Sequence, residues 1–315
     1  MFQLLSFKHT VNFLKHAKPI SYVSLMLIVL SIGLLATRGL NWGLDFTGGT
    51  LVELEFKQPV ELQQLRAEAQ SPVLKGALIQ SFGTPRDVLF RLPVLDNVKS
   101  DQQISAVKEM VTAIGADVVV KRVEFVGPSV GQELAEQGGF AVIIAMMCIM
   151  LYVSIRFEWR LALGSVAALL HDVMLTLGIF SLLQIEFDLT VLAGVLTVVG
   201  YSLNDTIVVF DRIRENFLKM RKGSSAEVVN ASITQTMSRT VITTLTTLFV
   251  VFALFIQGGA IIHGFATALL LGIFVGTYSS IYVASFLAIQ LGINREHMLP
   301  TKVEKEGADQ EELMY

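Results

Sequence analysis

The sequence has one cysteine and little charge. Cys148 stands alone among 315 residues, so no disulfide can form within the chain, and the cysteine content does not indicate a compartment. Charged residues make up 16% of the chain, compared with about 25% in soluble domains. Apolar residues reach 53%. This composition excludes an ordinary soluble domain and indicates an integral membrane protein.

The sequence lacks the motifs that several classes of function require. The net charge is −3, so no basic surface for nucleic acid is predicted. CxxC, HExxH and histidine–cysteine clusters are missing, so neither a metal site nor a cofactor site is predicted. The glycines of GLDFTGGT (43–50) do not form a phosphate loop, because a strand is predicted after them and no GK[ST] sequence follows. The sequence does not indicate an enzyme.

Long stretches without Lys, Arg, Asp or Glu predict six membrane helices. A helix needs about 20 residues to cross the hydrocarbon core. Acidic residues interrupt these stretches at two positions, Asp172 and Asp205. The first stretch is longer than the apolar part of a typical signal peptide, so we expect an uncleaved anchor, with a cleaved signal as the alternative. The predicted membrane helices are 19–37, 137–155, 161–183, 189–210, 239–257 and 265–290.

Lys and Arg concentrate on one side of the predicted helices. The short opposite loops, around 184–188 and 257–264, contain neither residue. The positive-inside rule therefore predicts that both termini are cytoplasmic, and that 38–136 lies on the other side of the membrane. The cytoplasmic parts are then the N-terminus 1–18, the loop 211–238 and the tail 291–315.

The extracytoplasmic segment 38–136 predicts a small periplasmic α+β domain. Alternating strand patterns and helix-forming stretches follow one another in the order β-α-β-β-α-β, which is typical of a ferredoxin-like fold. Ser100 with Gln103, and Ser129 with Gln132, have the spacing of capping boxes and predict helix starts. The predicted strands are 50–56, 76–82, 86–93 and 117–125, and the helices are 59–70 and 100–114.

A carboxylate lies inside the fourth predicted membrane helix. Placing Asp205 at the centre of a membrane helix costs about 2.5–3.5 kcal/mol. Its side chain, with Asn204 beside it, is therefore expected to face the helix bundle or a water-filled cavity. We favour a role in an ion pathway. A static buried ion pair that fixes helix packing is the alternative.

Arg239 opens the fifth predicted membrane segment. If the helix itself begins some residues before Arg239, this residue lies at a depth similar to that of Asp205. Arg239, Thr243 and Thr246 share a helix face, and the two hydroxyls can hydrogen-bond across helices or hold water. Burial favours the protonated form of a carboxyl group, and a nearby guanidinium favours the charged form. Movement of Arg239 would thus load or release a proton at Asp205. Arg239 as an anchor at the membrane surface is the alternative.

The third membrane helix contains His171 and Asp172. Consecutive helix residues point in different directions, so the two side chains are predicted not to face each other. Asp172 is a candidate functional residue, with a structural role equally open. His171 is interpreted as a core histidine. No partner is predicted for Asp45 in the GLDFTGGT stretch, whose glycines let the chain turn from the membrane into the outer domain.

Five blocks in this order resemble the SecF proteins, bacterial protein-export membrane proteins of the SecD/SecF family and the resistance-nodulation-division (RND) superfamily. The resemblance extends from the first membrane helix to the sixth. The blocks are GLDFTGGT (43–50), VGPSVGQEL (126–134), ALLHDV (168–173), GYSLNDTIVVFDRIREN (200–216) and SRTVITTLTTLF (238–249).

The resemblance implies an RND-like half of six helices in the bacterial inner membrane. It implies SecD as partner, supplying a second half and a further acid, together with the SecYEG channel, YajC and the translocating preprotein. The implied activity is proton-driven promotion of preprotein translocation, with Na⁺ as an alternative coupling ion. The implied proton pathway comprises Asp205 and Arg239. Asn204, Asp172 and Thr243 are supporting candidates, and Asp45, Gly48 and Gly49 form the family's turn motif.

Two other functions are compatible with the sequence. One is half of an RND-type antiporter for small molecules, although an outer domain of about 100 residues offers little surface for a drug pocket. The other is a structural scaffold for the translocon, in which neutralising Asp205 would be harmless.

Overall fold

The computed structural model describes residues 9–95, 98–115, 117–220 and 222–298. Parts of the predicted cytoplasmic termini, 1–8 and 299–315, lie outside this range. Within it, six helices are long and apolar enough to cross a membrane, which confirms the predicted multi-pass membrane protein. A small α+β unit is inserted between the first and second of them.

The helices and strands along the chain are α1 (Ala17–Thr37), β1 (Asn41–Trp42), α2 (Leu44–Thr47), β2 (Gly49–Phe56), α3 (Leu62–Glu68), β3 (Leu78–Phe82), β4 (Thr84–Leu92), α4 (Ser100–Ala113), β5 (Val118–Val126), α5 (Pro128–Arg156), α6 (Trp159–Leu183), β6 (Glu186–Phe187), α7 (Leu189–Lys219), α8 (Ser225–Gln257), α9 (Gly259–Ser279) and α10 (Ser285–Gln290). Most of the short elements lie between the first two membrane helices, α1 and α5, and β6 lies between α6 and α7. A π-helical stretch, Ser280–Ala284, joins α9 to α10.

The long helices extend beyond the predicted membrane segments. Most of the predicted loop 211–238 is helical, because α7 continues to Lys219 and α8 begins at Ser225. Ser224 caps α8 together with Glu227, whose side chain accepts a hydrogen bond from the Ser224 amide at 2.9 Å. The prediction followed uncharged residues, but helical hydrogen bonding continues through charged residues outside the hydrocarbon core.

Two predicted helix starts differ by a residue or two. α5 begins at Pro128 with Gly127 as its N-cap, so Ser129 is inside the first turn and does not cap the helix. Proline suits this position because its fixed φ is helical and it lacks the N–H that would remain unpaired. In α4 it is Gln102 that accepts a hydrogen bond from the amide of Lys99, at 3.0 Å, so the predicted Ser100–Gln103 box is wrong.

The outer unit is built on a four-stranded sheet with strand order β3-β4-β2-β5 and antiparallel neighbours throughout. Helices α3 and α4 pack on it over a core that includes Val52, Phe90 and Val107. β5 lies at one edge, and its apolar side chains Val119 and Phe125 are exposed. The outer unit therefore has its own core and an uncovered edge.

Helix α7 lies at the centre of the membrane bundle, where it packs against α6, α8 and α9. Glycines of α9 allow close approach: a Cβ on Gly272 would lie 2.2 Å from Cγ2 of Val198, and one on Gly276 would lie 2.9 Å from Cβ of Ser202. Small residues commonly let membrane helices approach in this way. The contact fixes α9 against the part of α7 that precedes Asp205.

Adding one methyl group at Gly272 should weaken this contact. Gly272→Ala forces Val198 or a helix to shift, and overpacking of this kind costs about 1–3 kcal/mol. We expect a lower melting temperature of the purified protein in detergent. Gly200→Ala is the matched control, because a Cβ there meets no atom within 4 Å, and removing a helical glycine contributes about 0.4–1 kcal/mol. Equal melting temperatures for the two variants would contradict the tight packing.

Candidate ion-coupling site

Asp205 is buried near the middle of the bundle. Its exposed fraction is 3%, and its Oδ2 has no hydrogen-bond partner within the part of the chain that the structure describes. A buried carboxyl oxygen without a donor is costly. The arrangement therefore suits a group that changes its protonation or its partner better than one fixed in a permanent ion pair.

The contacts between α7 and α8 place Arg239 level with Asp205. Tyr201 donates to Thr244 at 3.5 Å, and Asn216 donates to Ser232 at 2.9 Å, so the two helices run antiparallel. When residues are counted along both helices from these two contacts, Asp205 lies opposite the turn of α8 that begins at Arg239. The Arg239 side chain is exposed, and among the ion pairs of the described residues none joins it to Asp205.

The supporting residues are separated from the buried carboxyl group. Asn204 is exposed. The hydroxyl of Thr243 donates to the carbonyl oxygens of Arg239 and Thr240, both at 3.0 Å, as threonine often does within helices. The hydroxyl that joins helices belongs to Thr244, which contacts Tyr201 and, at 3.2 Å, Thr277 of α9. Sequence reasoning missed Thr244, because only the helix packing distinguishes it from its neighbours.

His171 and Asp172 face each other, and the prediction that they do not is wrong. Nδ1 of His171 lies 2.9 Å from Oδ1 of Asp172. The other carboxyl oxygen, Oδ2, accepts hydrogen bonds from Ser202 of α7 at 2.5 Å and from Ser279 of α9 at 2.8 Å. Asp172 thus joins three helices. The sequence analysis did not identify the two serines, because small hydroxyl residues in membrane helices usually indicate only close packing of helices.

The GLDFTGGT stretch connects the outer unit with the bundle. Asp45 accepts a hydrogen bond from the amide of Leu189 at 2.9 Å, at the N-terminus of α7, where a carboxylate also complements the helix dipole. Gly48 has φ of 68° and Gly49 has φ of 131°, values that glycine adopts without strain. Sequence reasoning predicted the turn but found no partner for Asp45, because Leu189 is distant in the chain.

A second connection lies beside it. β1 pairs with β6 in parallel, with Trp42 opposite Phe187. Arg91 of the outer sheet donates to the carbonyl oxygen of Trp42 at 3.2 Å and forms an ion pair with Glu186. Burial lowers the pKa of Arg91, and nearby Asp188 and Asp45 oppose this effect. We call Asp45, Arg91, Glu186 and the β1–β6 pair the outer latch.

The class of protein is defined by these observations: a multi-pass membrane protein with buried carboxyl groups and an outer unit attached to the helix that carries one of them. Family models match two parts of the chain. The model described as "Protein export membrane protein SecD/SecF, C-terminal" matches residues 106–294, and that of the "SecD/SecF GG Motif" matches residues 33–60.

Individual proteins match over almost the whole chain. The protein translocase subunit SecF of Vibrio alginolyticus is 57% identical over 99% of this chain and 100% of its own length. That of Escherichia coli O157:H7 is 48% identical over 93% of this chain and 91% of its own length. The chain therefore belongs to the SecD/SecF family and, within it, to the SecF subunits of the protein translocase, as its motifs predicted.

A solved structure agrees with the fold. A crystal structure of SecDF, a translocon-associated membrane protein from Thermus thermophilus, has a TM-score of 0.82 and 40% identity, and covers 90% of this chain. SecDF in its super-membrane-facing form has a TM-score of 0.69 over 91% of this chain. The chain spans 39% of the SecDF chain in each case. The fold is thus that of one part of SecDF.

Proposed function

We propose that this chain is the SecF part of a SecDF-type complex and uses the proton motive force to promote preprotein translocation through SecYEG across the inner membrane. Its family is one of translocase subunits. The observation that carries the coupling mechanism is Asp205, a buried carboxyl group without a hydrogen-bond donor at Oδ2, level with a cationic residue of the next helix.

Asp205 and Arg239 form the proton switch in this proposal. When the guanidinium is away from Asp205, burial favours the neutral, protonated carboxyl group. When the guanidinium or another cation approaches, the charged form is favoured and the proton leaves. The membrane potential supplies about 2.3 kcal/mol per charge per 100 mV, enough to shift two conformations of the bundle. Asn204, Thr243 and Asp172 support the pathway.

The outer latch transmits this change to the outer unit. Asp45 contacts the first residue of α7, the helix that carries Asp205, and Arg91 ties the outer sheet to Glu186 just before it. A tilt of α7 therefore moves the attachment point of the outer unit. In the proposed cycle this movement biases the emerging preprotein toward the periplasm.

The exposed surfaces support a SecD partner. Arg239 and Asn204 are polar residues exposed on membrane helices, and such residues are costly against lipid. A second set of helices, bringing a further acid, would cover them. The uncovered β5 edge offers backbone and apolar side chains for a partner's sheet. SecYEG and YajC complete the proposed assembly.

We propose a ferredoxin-like fold for the outer unit and a periplasmic location for it. The supporting observations are its strand order and its antiparallel pairing. Arg156 and Arg160 lie at the turn between α5 and α6, opposite the outer unit, which agrees with cytoplasmic termini. A reporter that is active only in the periplasm can be inserted between residues 96 and 97. Activity of this reporter tests the proposed location.

The function is tested by export in cells whose sole SecF is this chain. Export that continues after ATP-driven translocation is blocked should stop when an uncoupler dissipates the proton gradient. Replacing the proton gradient with a sodium gradient tests the coupling ion. Persistent export with neither gradient would support the scaffold function instead.

A further inference from the structure

The ion pathway described so far makes little use of the His171–Asp172 pair, although hydrogen bonds to this pair join three helices of the bundle. His171 is 1% exposed and Asp172 is fully buried. Asp172 receives hydrogen bonds from Ser202 and Ser279 on one oxygen and contacts Nδ1 of His171 with the other. Both oxygens of Asp172 therefore have hydrogen-bonding neighbours.

This geometry determines which nitrogen of the His171 imidazole carries no hydrogen. With Asp172 charged, Nδ1 must carry the hydrogen that lies between the two side chains, and Nε2 then has an unshared lone pair. Nε2 of His171 is buried and has no hydrogen-bond partner among the described residues. A buried acceptor without a donor is unusual and calls for an explanation. A proton at Nε2 would have the carboxylate of Asp172 as its counter-charge.

A groove leads to His171 from one end of the bundle. It has a volume of about 490 Å³, lies between α1, α6 and α10, and is lined by Lys18, Tyr22, His171 and Gln290 among others. Lys18 and Gln290 lie at the helix ends where both chain termini emerge. His171 therefore lies between this groove and the hydroxyl groups of α7 and α9.

We propose that His171 and Asp172 form a second proton-binding site, loaded from this groove. A proton adds to Nε2 of His171, and the resulting imidazolium remains paired with Asp172. This change weakens the hold of Asp172 on Ser202 and Ser279, because the carboxylate then interacts with a full positive charge. Ser202 precedes Asp205 by one helical turn, so loading at His171 alters how α6 holds the helix that carries Asp205.

Other titratable groups near His171 are few. Tyr278 of α9 stacks on the His171 ring with centroids 6.1 Å apart, and its hydroxyl contacts Ser24 of α1 at 2.6 Å. The ring of Tyr282, in the π-helical stretch, lies tilted against that of Tyr278, with centroids 5.6 Å apart. Lys18 and Tyr22 of α1 line the same groove as His171.

The site is built for a proton and not for a sodium ion. Both oxygens of Asp172 already face hydrogen-bond donors, and the unpartnered atom is an imidazole nitrogen. Sodium requires several oxygen ligands, whereas an imidazole lone pair binds a proton near neutral pH. The proposal rests on the proposed proton-driven function, but its direct test does not depend on export.

The direct test is ¹⁵N solid-state NMR of the full complex in lipid, with labelled histidine and His171→Gln to assign the signal among the chain's five histidines. At about pH 8, Nδ1 of His171 should be protonated and Nε2 bare, and Nε2 should gain a proton as the pH falls to about 5. A neutral ring with hydrogen on Nε2 throughout this range, or a constant signal, would overturn the proposal.

The functional test compares proton uptake by vesicles that contain the complex. His171→Gln should remove the component of the rate that titrates in the histidine range, and His263→Gln, which alters an exposed histidine beside Phe255, should not. Leu25→Trp fills the groove and should lower the rate, whereas Leu151→Trp on the exposed face of α5 should not. An unchanged pH profile in His171→Gln would refute the site. Failure of the proposed function would appear separately, as export that persists with neither a proton gradient nor a sodium gradient.

Discussion

Asp205→Asn is expected to abolish the gradient-dependent part of preprotein export. Asparagine keeps the size of aspartate and its capacity for hydrogen bonds, but it cannot bind or release a proton. Because the wild-type carboxyl group is buried and Oδ2 lacks a donor, the neutral amide should not disturb packing. Export should fall to the level that remains with an uncoupler. The measurement is precursor accumulation in cells whose sole copy of the protein is the variant.

The matched control is Asp211→Asn on the same helix. The Asp211 side chain is 42% exposed and pairs with Arg156 at 2.7 Å, and such surface pairs contribute about 0–1 kcal/mol. Membrane level and retention of SecD should be equal in both variants. Normal export by Asp205→Asn would show that this carboxyl group is structural, as in the scaffold function, and would move the search for the coupling group to Asp172 or to the partner.

Arg91→Ala is expected to open the outer latch and strongly reduce export without unfolding the bundle. The Arg91 side chain is 11% exposed and that of Glu186 is 28% exposed. Because the pair is only partly buried, we use the contribution of about 1.5–3 kcal/mol that hydrogen bonds to charged groups make. Since 1.4 kcal/mol corresponds to a factor of ten, even about 1.5 kcal/mol would shift the latched state about tenfold. The measurement is precursor accumulation in cells whose sole copy of the protein is the variant.

Charge reversal separates the latch from a general packing effect. Arg91→Glu and Glu186→Arg should each impair export, and the double variant should recover part of it. Lys57→Ala is the control, because Lys57 and Asp117 form an ion pair in the same outer unit with side chains that are 70% and 75% exposed. If Arg91→Ala and Lys57→Ala export equally well, the latch does not transmit force.

Much of the fold follows from patterns local in the sequence. The six membrane helices arise from uncharged stretches, and the strands of the outer unit arise from alternation and turn residues. The burial of Asp205 follows from the cost of a charge in lipid. Helix ends were less predictable, because Gly127 and Pro128 define the start of α5 while the nearby Ser129 offered a capping pattern.

Contacts between distant residues could not be predicted in the same way. Asp172 meets Ser202 and Ser279 only after α6, α7 and α9 have packed. The approach of His171 to Asp172 depends on side-chain rotamers, which helical spacing does not determine. Asp45 finds its partner at the first residue of α7, and Arg91 finds its partner in β6 just before that helix. Nothing in the local sequence indicates either pairing.

The way the outer unit is attached limits how it can move. Its sheet joins the membrane part where Gly49 pairs with Val126, and the ion pair of Arg91 with Glu186 forms a separate attachment. A rigid body held at two points retains a single rotation, about the line that passes through both. The outer unit then rotates about one fixed axis, and the residues just before α7 carry one of the two attachment points that define this axis.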